Sequence, residues 1–255
     1  MKFAITIGSY QMPQFVELQV RSLRRVFGEQ VPLLISDDWS DCSVQIRDLA
    51  AELDVHHIVG GPRGHFGGDM AAGIHGLAFA KQEGADIAIK VSQRFLLVEP
   101  VVKSILERYF SDENTWLLLP GKVHPATIPR AESRFFSNFF IQTDCVCIRT
   151  GTLTPEELKR RYEEAVAVRT RFAAYVEKLF MNLMDTVFAG HTVICPELTH
   201  PFPGRSPLFL RRCQSEPAQY QKLGEELGMK SFVPILSEWS RLSRSYKPIP
   251  RFVEA

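Results

Sequence analysis

Four times before residue 92 this chain runs through a short apolar stretch that stops at a polar or glycine-rich cluster. Phe3 to Ile7 stops at Gly8-Ser9-Tyr10-Gln11, and Val31 to Ile35 at Ser36-Asp37-Asp38. Val55 to Val59 stops at Gly60-Gly61, and Ala85 to Val91 at Ser92-Gln93-Arg94. Ile87, Ala88 and Ile89 in the last of these runs fit an interior strand of a sheet covered on both faces. The segments between them carry helical stripes. Pro13 opens the first, with Phe15, Leu18, Leu23, Val26 and Phe27, and Gly28 stops it. Asp41 or Ser43 is placed to cap the second, with Val44, Ile46, Leu49 and Leu53. The third carries Ile74, Leu77, Ala78 and Ala80. The alternation predicts an α/β fold with a mostly parallel sheet flanked by helices, whose ligands bind beyond the carboxyl ends of the strands.

Each polar break is therefore a candidate piece of pocket floor. Lys90, Ser92, Gln93 and Arg94 interrupt the fourth apolar run, and the alternative is an ordinary strand-to-loop transition with solvated charges. Asp37 and Asp38 can accept hydrogen bonds from a base or ribose, or cap a helix. The segment from Gly60 to Asp69 is the most glycine-dense of the chain and opens a helix. Such a loop can present N–H groups to an anion, with Arg63 and His65 beside a diphosphate, or be chosen for its backbone shape alone. It is neither a Walker loop nor a dinucleotide fingerprint.

The second half is less regular. Pro100 begins a helix, Trp116 to Leu119 reads as a strand, and Pro120 to Phe140 mixes Gly, His, Pro and aromatics without a period, as the irregular wall of an acceptor pocket would. Ile141 to Arg149 reads as a strand carrying Asp144. Thr154-Pro155-Glu156-Glu157 is a capping box at the head of a charged helix. Arg169 to Phe188 has a helical stripe with Glu177 beside it, and His191 to Cys195 makes a last strand. The chain divides into a main domain over 1–205 and a helical extension over 206–255, either packed on that domain or used between copies of the chain.

Composition removes several classes of function. A formal net charge of +1 over 255 residues gives no broad field for nucleic acid. The five cysteines are scattered and complete no zinc pattern, so reduced, buried thiols are expected. No apolar run is long enough to span a bilayer and the amino terminus reads as a strand, which predicts a cytoplasmic protein.

From Lys2 to about His200 the order of parts resembles a GT-A fold nucleotide-sugar glycosyltransferase, most like the inverting family 2 group. The opening ITIGSYQMP is similar to that family's first strand and turn, which puts Gly8, Ser9 and Tyr10 beside the nucleotide. SDDWSD is similar to its Asp-Asp-Gly-Ser segment, which puts Asp37 or Asp38 at the uracil or ribose. The stretch from Gly67 to Ser92 follows the family's glycine loop, helix and strand, which puts Gly68, with Arg63 and Gly64 just before the stretch, on the nucleotide side. YVEKLFMNLMDTVFAGHTVICPELTH is similar to its Glu-Asp helix and the strand after it. The resemblance implies a nucleotide-diphosphate sugar donor, a glycan or other hydroxyl acceptor, and Glu177 as general base, with Lys178 at the second acid's position.

The chain departs from the pattern where the family carries an Asp-X-Asp motif for Mg²⁺ or Mn²⁺. Here the residues are Ser92-Gln93-Arg94, so the motif supplies no metal ligands and dependence on a divalent ion is in question. Lys90, Arg94, Arg63, Arg205 and His200 are then the candidates to meet the diphosphate, Arg being suited to bidentate phosphate contacts. Ile74 lies near the position of an Asn that the family places on the third helix. His124, Asp144 and Tyr175 are weaker acceptor-side candidates. The main alternative is a noncatalytic GT-A-like protein that keeps nucleotide or glycan binding. A nucleotidyltransferase on a related sheet is a third reading, but the glycine-rich loop expected after its first strand, with its Arg and Lys, is absent from this chain.

Overall fold

A computed structural model describes residues 1–38, 40–60, 64–93, 95–123, 139–141, 144–167, 183–184, 186–200, 208–210 and 217–229. Its first half alternates β1 (Phe3–Ser9), α1 (Pro13–Phe27), β2 (Leu33–Asp37), α2 (Ser43–Glu52), β3 (His56–Val59), α3 (Gly64–Gln82) and β4 (Ile87–Ser92). These strands are parallel in the order β3-β2-β1-β4. After the two-residue β5 (Leu96–Leu97) come α4 (Val101–Phe110), β6 (Leu117–Val123), β7 (Phe139–Ile141), β8 (Cys145–Arg149), α5 (Pro155–Ala167) and β9 (Thr192–His200). The sheet continues from β4 through antiparallel β8 to β6, while β7 pairs with a later stretch of β6 and β9 runs parallel to it. β10 (Phe209–Leu210) and α6 (Pro217–Glu226) close the described chain.

Strand alternation sorts the core into two layers. Phe3, Ile5, Ile7, Leu33, Ile35, Ile87, Ile89 and Val91 face α1, α2 and α4. Ala4, Leu34, Ala88, Val146 and Ile148 face the other way, against Met70, Leu77 and Phe79 of α3. Cys145, Cys147 and Cys195 are buried in the first layer, and no disulfide joins the described cysteines. Burial pushes the Cys195 thiol up to about 12, so it packs as a small apolar group.

Several elements differ from their sequence reading. β2 reaches Asp37, so both of its last polar residues are in the ladder with Gly8 and Ser9. The glycine-dense segment is no extended loop from Gly64 onward; it is already helix. Cys42, not Asp41 or Ser43, sits at the N-cap of α2, with no side-chain cap bond. Thr154 behaves as read, its hydroxyl oxygen accepting the Glu157 N–H at 3.1 Å. The region from Pro120 is strand as far as Val123, and 124–138 lies outside the described residues.

Glycines set how closely α3 approaches the sheet. A Cβ added at Gly76 would lie 2.7 Å from Thr6 Oγ1 and 3.0 Å from its Cβ, whereas one at Gly73 meets nothing within 4 Å. Gly73 borders a void of about 10 Å³ shared with Ala88, Lys90, Val146 and Met184. Gly76→Ala is expected to destabilise by about 1–3 kcal/mol through overpacking on β1. Gly73→Ala is expected to stabilise by up to about 1 kcal/mol, because it lowers the freedom of the unfolded chain without a clash. Urea midpoints of the two variants check the opposite signs.

His57 gives a pH signature. Its Nε2 is buried without a hydrogen-bond partner, and burial lowers the imidazole pKa, the nearby Asp37 charge opposing and Arg47 assisting. A histidine whose folded pKa is depressed contributes stability that is complete above its unfolded pKa of about 6.5 and is lost as pH falls below it. Stability should therefore drop between about pH 7 and pH 5. The drop should be shallower in His57→Gln, as denaturant titrations at both pH values would show.

Candidate functional site

The carboxyl ends of β1, β2 and β4 meet the first turns of α3 at one edge of the sheet. Gly8 makes this possible on β1: an added Cβ would lie 3.3 Å from Ala72 on α3 and 3.5 Å from Lys90 Cε. Gly68 does the same on α3, where an added Cβ would sit 2.5 Å from an Asp38 carboxylate oxygen and 2.8 Å from its Cγ. The Asp38 backbone N–H donates to Ser9 O at 2.9 Å, which ties the end of β2 to the end of β1. Gly8, Ser9, Tyr10, Asp37, Asp38, Gly68, Lys90, Ser92 and Gln93 are thus brought together, and Gly64 opens the helix that covers them.

Asp37 and Asp38 differ in environment. Asp37 is 1% exposed, and its two carboxylate oxygens accept the hydroxyls of Ser40 and Ser43. Ser40 Oγ in turn accepts the Gln11 N–H at 2.6 Å. Asp37 therefore braces the turn after β1 through Ser40. Asp38 is only partly buried and lies against the Gly68 backbone.

Gln93 is a clamp on the same turn. Its Oε1 accepts the Tyr10 N–H at 2.9 Å, its Nε2 donates to Tyr10 O at 2.9 Å, and its own N–H donates to Gly8 O at 3.0 Å. The side chain thus copies the paired hydrogen bonds of a neighbouring strand. The clamped turn is strained: Gln11 and Met12 have φ of 58° and 59°, the left-handed region that non-glycine residues avoid. Two such residues cost on the order of 1–2 kcal/mol each, and persist only where surrounding contacts over-determine them. The Tyr10 phenol has its pKa raised by burial first and then by the charges of Asp41 and Asp38, so it stays protonated and able to donate.

Lys90 is 4% exposed and forms an ion pair with Asp69 in the early turns of α3, with Ser92 Oγ at 3.3 Å. The pair joins β4 to α3 across the floor of the site. Asp69 was not among the residues singled out in the sequence; its position at the end of the glycine-dense segment was the available signal. The backbone N–H of Ser92 donates at 2.7 Å to the carbonyl of Asp144, a residue 3% exposed at the entry to β8.

The donor set at 92–93 does not fit a divalent ion. Ser92 and Gln93 offer neutral oxygens, the Gln93 carbonyl already accepts the Tyr10 N–H, and the Asp69 carboxylate is bound to Lys90. Among the described residues no group of three His, Cys, Asp or Glu could hold a metal. Arg63, Arg94, His124, Tyr175, Glu177 and Arg205 lie outside the described residues, and His200 is described as the backbone end of β9, in register with Lys122. A separate cleft of about 600 Å³ opens at the opposite end of the strands, beside Arg24, Glu52, Asp54 and His56; none of the sequence-predicted residues lines it.

No family model matches the chain, and no curated protein does. Solved structures do. The glycosyltransferase GlyE of Streptococcus pneumoniae aligns over 99% of this chain and 66% of its own, with 12% identity and a TM-score of 0.54. Glucosyl-3-phosphoglycerate synthase from Mycobacterium tuberculosis, in complex with Mn²⁺, UDP and glucosyl-3-phosphoglycerate, aligns over 90% of this chain and 81% of its own, with 9% identity and a TM-score of 0.51. A cytidylyltransferase from Leptospira borgpetersenii aligns over the whole of both chains with 12% identity and a TM-score of 0.46. The mixed sheet with its leading β3-β2-β1-β4 order and this similarity together establish that the chain has the GT-A glycosyltransferase fold.

Proposed function

We propose that the protein is a glycosyltransferase that moves a sugar from a nucleotide-diphosphate donor, UDP-linked, to the hydroxyl of a glycan or similar acceptor with inversion. One observation carries the reading: at the carboxyl edge of a GT-A sheet, the turn after β1, the partly buried Asp38 and the first turns of α3 are held around a common floor. Asp38 is placed to accept hydrogen bonds from a uracil N–H or ribose hydroxyls.

Glu177 takes the acceptor proton as the new C–O bond forms at the anomeric carbon and the bond to the diphosphate breaks. The charge left on the diphosphate is met by Arg63, Arg94 and Arg205, with His200 beside them, in place of a divalent ion. Lys90 contributes less than these, since its charge is already matched by Asp69. The poor fit of Ser92 and Gln93 to a metal supports this metal-independent route. No described helix is long and apolar enough to cross a membrane, in keeping with a cytoplasmic site of action.

A thermal-shift screen of nucleotide sugars, with EDTA and with Mn²⁺, tests the proposal. A donor that binds the folded state at about a hundred times its Kd stabilises it by about 2.7 kcal/mol. The expected result is a shift by a UDP-sugar in EDTA, accompanied by UDP release on addition of acceptor. A shift only with Mn²⁺ present would overturn the metal-independent route. Binding without turnover on any acceptor would favour the noncatalytic alternative.

A further inference from the structure

We propose that the C-terminal segment is part of the donor site, because Tyr220 on α6 positions the strained turn Ser9–Met12. The inference rests on the nucleotide reading only in taking that turn as the donor's; the mechanical link itself does not depend on it.

Tyr220 is 0% exposed, in a small core of its own with Met12, Phe15 and Leu18 from the turn and α1, Leu96 and Val98 from the stretch after β4, and Leu210, Leu223 and Met229 from the C-terminal segment. Its ring lies 5.9 Å from that of Phe15 at 55°. Met12, one of the two adjacent residues of this turn at positive φ, shares that core with Tyr220, which meets the turn's side of it through Phe15. The segment grips the other half of the clamp as well. β10 pairs antiparallel with β5, Val98 N–H donates to Leu208 O at 2.9 Å, and Phe209 stacks on Phe95 with centroids 4.9 Å apart. Phe95 follows Gln93 by two residues, and Gln93 holds Tyr10.

The turn is thus braced by residues more than 190 positions later in the chain, and the stretch that carries its clamp by residues 110 or more positions later. A left-handed pair held only by Ser40 and Gln93 would relax toward ordinary backbone conformations once this apolar contact is lost. The segment is consequently a positioning element, and Tyr220 a positioning residue that touches no reacting atom.

Amide hydrogen exchange tests this in the full-length chain. In Tyr220→Ala the Tyr10 and Gln11 amides, which donate to Gln93 and Ser40, should exchange at least about tenfold faster, while Ile7 and Ile89 in the central strands keep their rates. Tyr220→Phe keeps the ring and should leave the turn within about threefold of the parent. Leu223→Ala supplies a milder test of the same contact should Tyr220→Ala not fold. Calorimetry with UDP in EDTA should show a matching loss of affinity in a variant that is fully folded at the measuring temperature. Turn amides that do not respond, or that speed up equally with Ile7 and Ile89, would overturn the proposal. If the parent binds no UDP while the turn amides respond as expected, the donor reading fails and the positioning link stands.

Discussion

Asp69→Ala is expected to destabilise the protein by about 3–5 kcal/mol, the range for removing one partner of a buried ion pair. Lys90 is 4% exposed and cannot take its charge to solvent when the carboxylate opposite it is lost. The Ser92 hydroxyl, 3.3 Å away, is neutral and does not replace the lost carboxylate. Removing both charges should hurt less than removing one: the pair Asp69→Ala with Lys90→Met is expected to regain most of the loss, since an apolar chain suits a position that shares a small void with Ala88, Val146 and Met184. Urea unfolding of the two single variants and the double variant measures the coupling. A single-variant cost below about 1 kcal/mol, as for an exposed pair, would show that Lys90 and Asp69 do not bind each other in a buried state.

Glu177→Gln is expected to lower the turnover of glycosyl transfer by about 10² to 10⁴-fold while leaving donor affinity unchanged. The amide keeps the size and polarity of the side chain and removes only its capacity to take a proton. Loss of rate without loss of binding separates a general base from a residue that shapes the donor pocket. Steady-state rates and donor calorimetry on the same preparation give both numbers. Unaltered turnover would assign the proton transfer to another group and sink this part of the proposed chemistry.

The strands were legible because an interior parallel strand needs apolar residues on both faces, and β1, β2 and β4 supply them without interruption up to Ile7, Ile35 and Ile89. Their ends were not, because polar residues can continue a ladder when something downstream satisfies them. Asp37 is such a case: its burial depends on Ser40 and Ser43, which arrive only when the turn folds back. The glycine-dense segment was read as a loop opening a helix, serving either an anion or its own backbone shape, whereas Gly68 and Gly76 serve close packing of a helix against Asp38 and Thr6. Gln93 was read as a donor contact and as a neutral replacement for an acid. Its work is done on Tyr10, 83 residues earlier, and no local pattern announces a contact at that range. The Lys90–Asp69 pair was hidden for the same reason.

The clamp made by Gln93 also restricts how the protein can be redesigned. Installing carboxylates at 92–93 to hold a metal is not a conservative engineering step: Gln93→Asp shortens the reach by one methylene and exchanges an amide that both donates and accepts hydrogen bonds for a group that only accepts. Tyr10 O would lose its donor, and the left-handed backbone at Gln11–Met12 would be released by the very edit meant to introduce the ion. Converting this chain to metal chemistry therefore calls for a rebuilt first turn as well as new ligands.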